Sequence, residues 1–216
     1  MKFIDLSEPI FDGMPNCPVH PGVRLEIVVD HPSGWRLEKL TLATHTGTHI
    51  DAPLHKIDGG RNLDDFPLEA FAGEAHIVRL RGAEPNHPIG PEDLSAGLPD
   101  SIAGHIVLLN TGWGHRRAPT DEWWYQSPYL SPAGASWLVE RGARGVGIDH
   151  YSIGGSRDPM NPETHTILLG NNVWVVEGLF FSAETDALSG TVQFMALPIK
   201  VQGASGAFCR AVLFEP

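Results

Sequence analysis

The segment Thr44-His45-Thr46-Gly47-Thr48-His49-Ile50-Asp51-Ala52-Pro53-Leu54-His55 restricts the local fold more than any other stretch of this 216-residue chain. On an α-helix His45 and His49 share a face, but Asp51 and His55 point elsewhere, and Gly47 and Pro53 oppose the helix. In an extended chain His45, Gly47, His49, Asp51, Pro53 and His55 all project to one side. A straight strand fails as well. It would set His45 and Asp51 ~20 Å apart at ~3.4 Å per residue, beyond the reach of two side chains on one ion at ~2 Å. The chain has to bend, and Gly47-Thr48 is the place: glycine takes backbone angles closed to other residues, and Thr48 can bond back to the main chain.

Neutral imidazoles and a carboxylate suit Zn or Mn, and the two oxygens of Asp51 allow it to bridge a pair of ions. His55, shortly after the rigid Pro53, is read as uncoordinated beside the metal and able to carry protons. The competing reading is a set of solvated or hydrogen-bonded histidines.

The rest of the chain narrows the class. With 15 Lys plus Arg against 26 Asp plus Glu, the net charge of -11 repels nucleic acid, and no basic cluster interleaved with aromatics offsets it. No run approaches the ~18 apolar residues of a membrane span, and MKFIDLSEPI lacks the pattern of a signal peptide, so a cytoplasmic protein with no membrane partner is expected. Cys17 and Cys209 form no CxxC pair and read as reduced thiols. No GxSxG nucleophile motif is present.

The 24 glycines and 18 prolines are scattered, which marks turns between many short elements and one domain over residues 1–216. Aliphatic and β-branched runs with Gly/Pro borders predict strands at Phe3-Leu6, Arg24-Val29, Arg36-Ala43, Ala75-Arg79, His105-Asn110, Gly145-Ile148, Val173-Glu177, Met195-Val201 and Phe208-Phe214. Proline at a first turn, an N-cap Ser131 and Gly142 past the end predict helices at Pro91-Ala96 and Ser131-Arg141. Strand, helix, strand, helix, strand from Ala75 to Ile148 implies an α/β core, with β-hairpins added by the termini.

THTGTHIDAPLH resembles the HxGTHxDxPxH signature of the cyclase family of metal-dependent hydrolases, which includes kynurenine formamidases and isatin hydrolases. The likeness extends to DLSEPIFDGMP near the N-terminus, to Thr111-Gly112-Trp113, to SPYLSPAGASWL and to Gly147-Ile148-Asp149. It also extends to a downstream His followed twelve positions later by Glu, here His165 and Glu177. The resemblance implies that His45, His49 and Asp51 bind one ion, that Asp51 and Glu177 bridge to a second, and that His165 completes that second site. His55 then corresponds to the general acid/base. One or two divalent ions per subunit, Zn or Mn, are implied, as are a single mixed-sheet α/β domain of the swivelling β/β/α type and a homodimer or homotetramer. The N-terminal arm around Met14-Pro15-Asn16-Cys17-Pro18 is a candidate to reach a neighbouring subunit and bring His20 to its site.

For a small-molecule substrate, Trp113 and Trp124 are candidate pocket walls, since five aromatic residues fall within seventeen positions. Asp149, at a strand end, is read as structural, bonding to a loop backbone or orienting a metal ligand. His31, His76, His87, His105 and His115 show no ligand spacing and are read as structural or solvated. Before Pro21-Gly22 the kynurenine formamidases usually carry an aromatic residue, and an acidic residue commonly follows; here these positions are His20 and Val23. The expected reaction is hydrolysis of an amide-type C–N bond in an aryl formamide, lactam or cyclic imide. Alternatives are a cyclase, dehydratase or lactone hydrolase acting on a polyketide-like substrate and, from another class, a non-catalytic metal-binding protein.

Overall fold

Ile106–Asn110, Gly145–Ile148 and Trp174–Glu177 are buried at every position, which strands achieve inside a sheet covered on both faces. The computed structural model describes residues 2–214, the side chain of Ser33 excepted. Along the chain run β1 (Phe3–Asp5), β2 (Arg24–Val29), β3 (Leu37–Thr41), β4 (His49–Asp51), β5 (Ala72–Arg79), β6 (Pro88–Ile89), α1 (Pro91–Gly97), β7 (Ile106–Asn110), α2 (Asp121–Tyr125) and β8 (Tyr129–Leu130). They are followed by α3 (Pro132–Glu140), β9 (Gly145–Ile148), α4 (Met160–Gly170), β10 (Trp174–Glu177), α5 (Ala183–Asp186), β11 (Thr191–Pro198) and β12 (Gly206–Phe214).

The main sheet has the order β1-β12-β11-β5-β7-β9-β10-β4, and β4 also pairs with β12. That second pairing closes seven strands into a barrel-like ring, with β1 attached outside it. Strands β5, β7, β9 and β10 are parallel, and the remaining pairs in this sheet are antiparallel. The parallel run is joined by right-sized helical crossovers, as the strand–helix alternation from Ala75 to Ile148 predicts. The domain is thus mixed α/β.

Side-chain parity explains why both faces are dry. Ile106 and Leu108 of β7 join Ile77, Trp174, Val176 and Phe194 in a core inside the ring, whereas Val107 and Leu109 join Val146, Val175, Leu94, Leu138 and Leu168 between the ring and its helices. Burying each such aliphatic side chain contributes about 1.5–3 kcal/mol. Helix α3 starts as its sequence predicts, with Ser131 Oγ accepting from Gly134 N–H at 3.1 Å, and Gly142 beyond its end has φ +75°.

The short elements β6, β8, α2 and α5 are not among those predicted, and two longer elements also differ from expectation. The predicted strand Met195-Val201 lies at Thr191–Pro198, because its first residues pair with β5 while pairing with β12 ends at Pro198, which has no N–H to give. Helix α4 is longer than the short helix that ETHTILLG around His165 suggests: its apolar residues Ile167, Leu168 and Leu169 are consecutive rather than helically spaced, and Pro162 sits in its first turn. No described helix is long and apolar enough to cross a membrane.

Candidate metal centre

The bend expected in the histidine segment is present: Gly47 has φ +63°, and β4 begins two residues later. Only His49 and Asp51 occupy that strand and share its face. His45 lies before the bend and His55 on a 3-10 turn, Pro53–His55, so the six-residue same-side alternation does not hold throughout. The turn brings His55 back until its ring centroid is 4.0 Å from that of His45.

Strand β4 sits between β10 and β12, with His49 opposite both Glu177 and Phe208. Ile50 points into the ring core, so His49 and Asp51 face outward, towards α4. Two close approaches allow this. Gly178 has φ +66°, and a Cβ there would overlap the Gly47 carbonyl oxygen; a Cβ on Gly206 would overlap the His45 ring. Thr48 Oγ1 donates to Gly178 O at 2.6 Å and ties the two segments together.

Four buried groups converge: His49 (2% exposed), Asp51 (1%), Glu177 (4%) and His165 (7%). His49 Nε2 lies 3.3 Å from Asp51 Oδ1 and 3.5 Å from Glu177 Oε2. His165 Nε2 lies 3.3 Å from Glu177 Oε1 and 3.8 Å from Asp51 Oδ2. His45 Nδ1 is 2.6 Å from Asp51 Oδ1, and its Nε2 is 3.1 Å from Ser205 Oγ. The ligand-type atoms of His49, Asp51 and Glu177 lie within 4.8 Å of one another, as do those of His45, Asp51 and His55. The geometry therefore places His55 close enough for either coordination or proton transfer.

These residues fit a divalent ion. Two ligands each ~2.1 Å from a tetrahedral ion stand ~3.4 Å apart, close to the 3.3–3.8 Å between the Nε2 atoms of His49 and His165 and the oxygens of Asp51 and Glu177; His45 Nδ1, at 2.6 Å, is hydrogen-bonded to Asp51. Each of two rings is aimed by its other nitrogen: His49 Nδ1–H donates to Gly47 O and His165 Nδ1–H to Asn161 O, both at 2.9 Å, so each Nε2 faces the carboxylates. Ile153 N–H donates to Glu177 Oε1 at 2.7 Å, leaving Oε2 towards His49. Among the described residues, Asp51 Oδ2 is buried with no hydrogen-bond partner, a costly arrangement for a carboxylate unless a cation completes it.

Electrostatics agree. Burial disfavours a charged His49, but Asp51 and Glu177 outweigh it and raise its pKa to about 9. His165 is likewise raised, with Glu177 and Asp51 overcoming burial. For Asp51, burial opposes the charge, yet His49 and His45 hold the carboxyl well below its usual range. A ligating imidazole must be neutral, so a metal would displace protons from these sites.

A cavity of about 370 Å³ opens on the cluster, lined by Cys17, His20, His45, His49, His55 and Lys56 on one side and by Tyr151, Ser152, Asp158, Asn161, Pro162, His165 and Glu177 on the other. His20 lies in this chain's own cavity, Nδ1 3.1 Å from His45 O, and the N-terminal arm folds over its own chain rather than extending away. Trp113 and Trp124 do not line the cavity. Trp113 is buried and donates from Nε1 to Trp123 O at 3.1 Å, while Trp124 Nε1 donates to Asn16 O at 3.0 Å. Their closeness in sequence reflects the packing of the 113–125 lobe.

Asp149 accepts from Thr111 N–H, Thr111 Oγ1 and Gly114 N–H, and so holds a loop rather than a ligand. His76 and His105 sit 2.9 Å apart, with Glu74 3.1 Å from His105; His87 faces Asp93, and His115 donates to Phe181 O. None of these enters the cluster. Ser205, Gly206, Gly178 and Tyr151 escape the sequence reading, and only Gly206 and Gly178, as glycines beside strand ends, offered any signal of a close approach; Cys17 is read there as a reduced thiol of the arm and not as a residue of the cavity.

A buried His/Asp/Glu cluster facing a cavity in a mixed α/β domain defines a candidate metal enzyme. The chain belongs to the cyclase family: the Cyclase family model matches residues 4–154. A kynurenine formamidase of Salinibacter ruber is 35% identical over 184 residues, 84% of this chain and 81% of that protein. Among solved structures, one described as a predicted metal-dependent hydrolase from Bacillus stearothermophilus matches with a TM-score of 0.80 at 28% identity, covering 100% of this chain and 98% of that one. Isatin hydrolase A from Labrenzia aggregata shares the fold, with a TM-score of 0.84 at 23% identity over 98% of this chain and 93% of that one.

Proposed function

We propose that this chain is a metal-dependent hydrolase of amide-type C–N bonds, with an aryl formamide, lactam or cyclic imide as substrate. The observation that carries the reading is the orphaned Oδ2 of buried Asp51, whose carboxylate is faced by His45, His49 and His165 beside Glu177. These five residues would hold one or two divalent ions, Zn or Mn. Bound there, such an ion polarises a carbonyl and lowers the pKa of water.

The chain's own residues supply the rest. His55 stands at the cavity mouth, and burial, reinforced by His45 and His165 and opposed by Asp51, lowers its pKa. It is therefore neutral near pH 7 and can accept a proton at a ring nitrogen and return it to the leaving nitrogen. Asn161 O and Gly47 O hold the His165 and His49 rings in place through the cycle. The wall formed by Cys17, His20 and Tyr151 orients the acyl group. The ring of seven strands supports assignment to the swivelling β/β/α type.

A homodimer or homotetramer belongs to the same proposal. Hairpin β2–β3 leaves Leu25, Ile27, Val28, Leu37 and Leu40 exposed: Leu25 opposes Leu40 with Ile27 and Glu38 beside them on one face, while Leu37 shares the other face with Lys39, which meets Glu26 at 3.5 Å. An isolated hairpin is marginal in water without a covering partner. Light scattering on the purified protein tests this part, with a monomer as the contrary result.

The function is tested by metal analysis of the purified protein together with a turnover screen over formamides, lactams and lactones with Zn or Mn added. Bound metal and hydrolysis of an amide support the reading. Metal binding without turnover on any of them contradicts it.

A further inference from the structure

The N-terminal arm, residues 8–20, contains no helix or strand; it is fastened between Glu8 and Asn16, ahead of the residues that line the metal cavity, and again at His20, whose Nδ1 is 3.1 Å from His45 O. Arg117, just after the 3-10 turn Trp113–Arg116, donates from Nε and Nη2 to Pro15 O at 3.3 and 3.1 Å. Its Nη1 reaches Glu8 Oε2 at 2.8 Å and Pro9 O at 3.5 Å. One guanidinium therefore grips the arm at Glu8, Pro9 and Pro15. Beside it, Trp124 Nε1 donates to Asn16 O, and Asn16 Nδ2 to Thr46 Oγ1 at 3.3 Å, next to His45. Glu8 N–H donates to Thr48 Oγ1 at 2.8 Å. Met14 and Ile10 pack over the bend at Gly47.

The grip stops short of Cys17, and Cys17 and His20 are the arm residues that line the cavity. Arg117 does not line it; it lies in a small adjoining space with Glu8, Pro15 and Asn16. The side chains of Arg117 and Glu8 are only 11% and 10% exposed. Removing two opposite charges from water gains little stability compared with an apolar pair, so a buried pair of this kind is best explained by the geometry it fixes. The fork shape of the guanidinium, which bonds a carbonyl and a carboxylate at once, is suited to that task.

We propose that Arg117 is a positioning residue: by holding Glu8 and Pro15 it sets Cys17 and His20 as the substrate-facing wall of the metal cavity, and so governs how tightly substrate is held without taking part in bond cleavage. The kinetic part of this proposal rests on the hydrolase reading. The placement of Cys17 does not, and its thiol reports the arm directly.

The test uses the full, metal-loaded chain with Arg117→Ala, Arg117→Lys and Glu8→Gln. Iodoacetamide labelling of Cys17 and Cys209 is followed by mass spectrometry, and kcat and KM are measured on any amide the wild type hydrolyses. In Arg117→Ala, Cys17 labelling accelerates about tenfold while Cys209 labelling and metal content stay at the wild-type level. KM rises about tenfold with kcat within about twofold, the signature of lost uniform binding. Arg117→Lys, which keeps a cation opposite Glu8, restores part of both effects. Should Arg117→Ala fail to fold, Glu8→Gln is read in its place and gives the same pattern at smaller amplitude. Unchanged Cys17 labelling in a folded variant overturns the proposal, as does equal acceleration of both thiols or a fall in kcat at constant KM. A wild type that hydrolyses no amide contradicts the hydrolase reading, and the thiol measurement still decides the role of Arg117.

Discussion

Two buried acid–histidine corners lie at the ends of neighbouring parallel strands, and they are built in opposite ways. After β9, Asp149 receives three hydrogen bonds from Thr111 and Gly114. His150 beside it donates from Nε2 to Trp123 O and is bonded at Nδ1 to Ser127 Oγ, both at 3.0 Å. At β4 and the end of β10, Asp51 keeps an oxygen with no partner, and two imidazole nitrogens face two carboxylates. Burial pushes Asp149 up and His150 down to about 4. Equal burial at His49 is outweighed by Asp51 and Glu177, which raise it to about 9. Burial alone therefore does not mark a functional histidine. Lone pairs left unspent and aimed at one point do.

This contrast can be broken at several places. The largest effect is expected from Asp51→Ala, which removes the shared ligand: metal is lost, and with it several kcal/mol of transition-state stabilisation, about a thousandfold or more in kcat/KM, read by metal analysis and steady-state kinetics. Next comes the pH dependence set by His150. Its folded pKa of about 4 lies below its unfolded value of 6.5, so between those values the unfolded chain binds a proton that the folded one does not. The stability it contributes is fully present above pH 6.5 and is lost as pH falls towards about 4, on the order of 3 kcal/mol. Urea unfolding across that window shows the slope, and His150→Gln flattens it.

His55→Ala is expected to lower kcat by about a hundredfold with metal content unchanged, because it removes a proton carrier rather than an essential ligand. The smallest effect belongs to Trp124→Phe, which deletes one donor to Asn16 O. It costs about 1 kcal/mol in stability, read as a shift in the urea midpoint, and leaves metal binding intact.

These expectations also show where the sequence is informative. His45, His49, Asp51 and His55 are legible because twelve contiguous residues carry both the ligand types and the glycine that bends them. The parallel core from Ala75 to Ile148 is legible because Gly/Pro borders and helix caps act locally. Glu177 and His165 stand out only through family resemblance, since their contacts with Asp51 span more than a hundred residues of chain. Ser205, Gly206 and Arg117 are recognisable only once the ring closes and the arm is laid over it. Trp113 and Trp124 mislead for the converse reason: neighbours in sequence, they pack their own lobe and its contact with the arm instead of lining the cavity.

The central claim is that unsatisfied Asp51, not satisfied Asp149, belongs to a metal centre. Metal content of wild type, Asp51→Asn and Asp149→Asn, purified and loaded side by side with Zn or Mn, tests it most directly. The account predicts one or two ions per chain in the wild type and in Asp149→Asn, the latter with a lowered unfolding midpoint, and loss of bound ion in Asp51→Asn. Full metal content in a folded Asp51→Asn protein would contradict it.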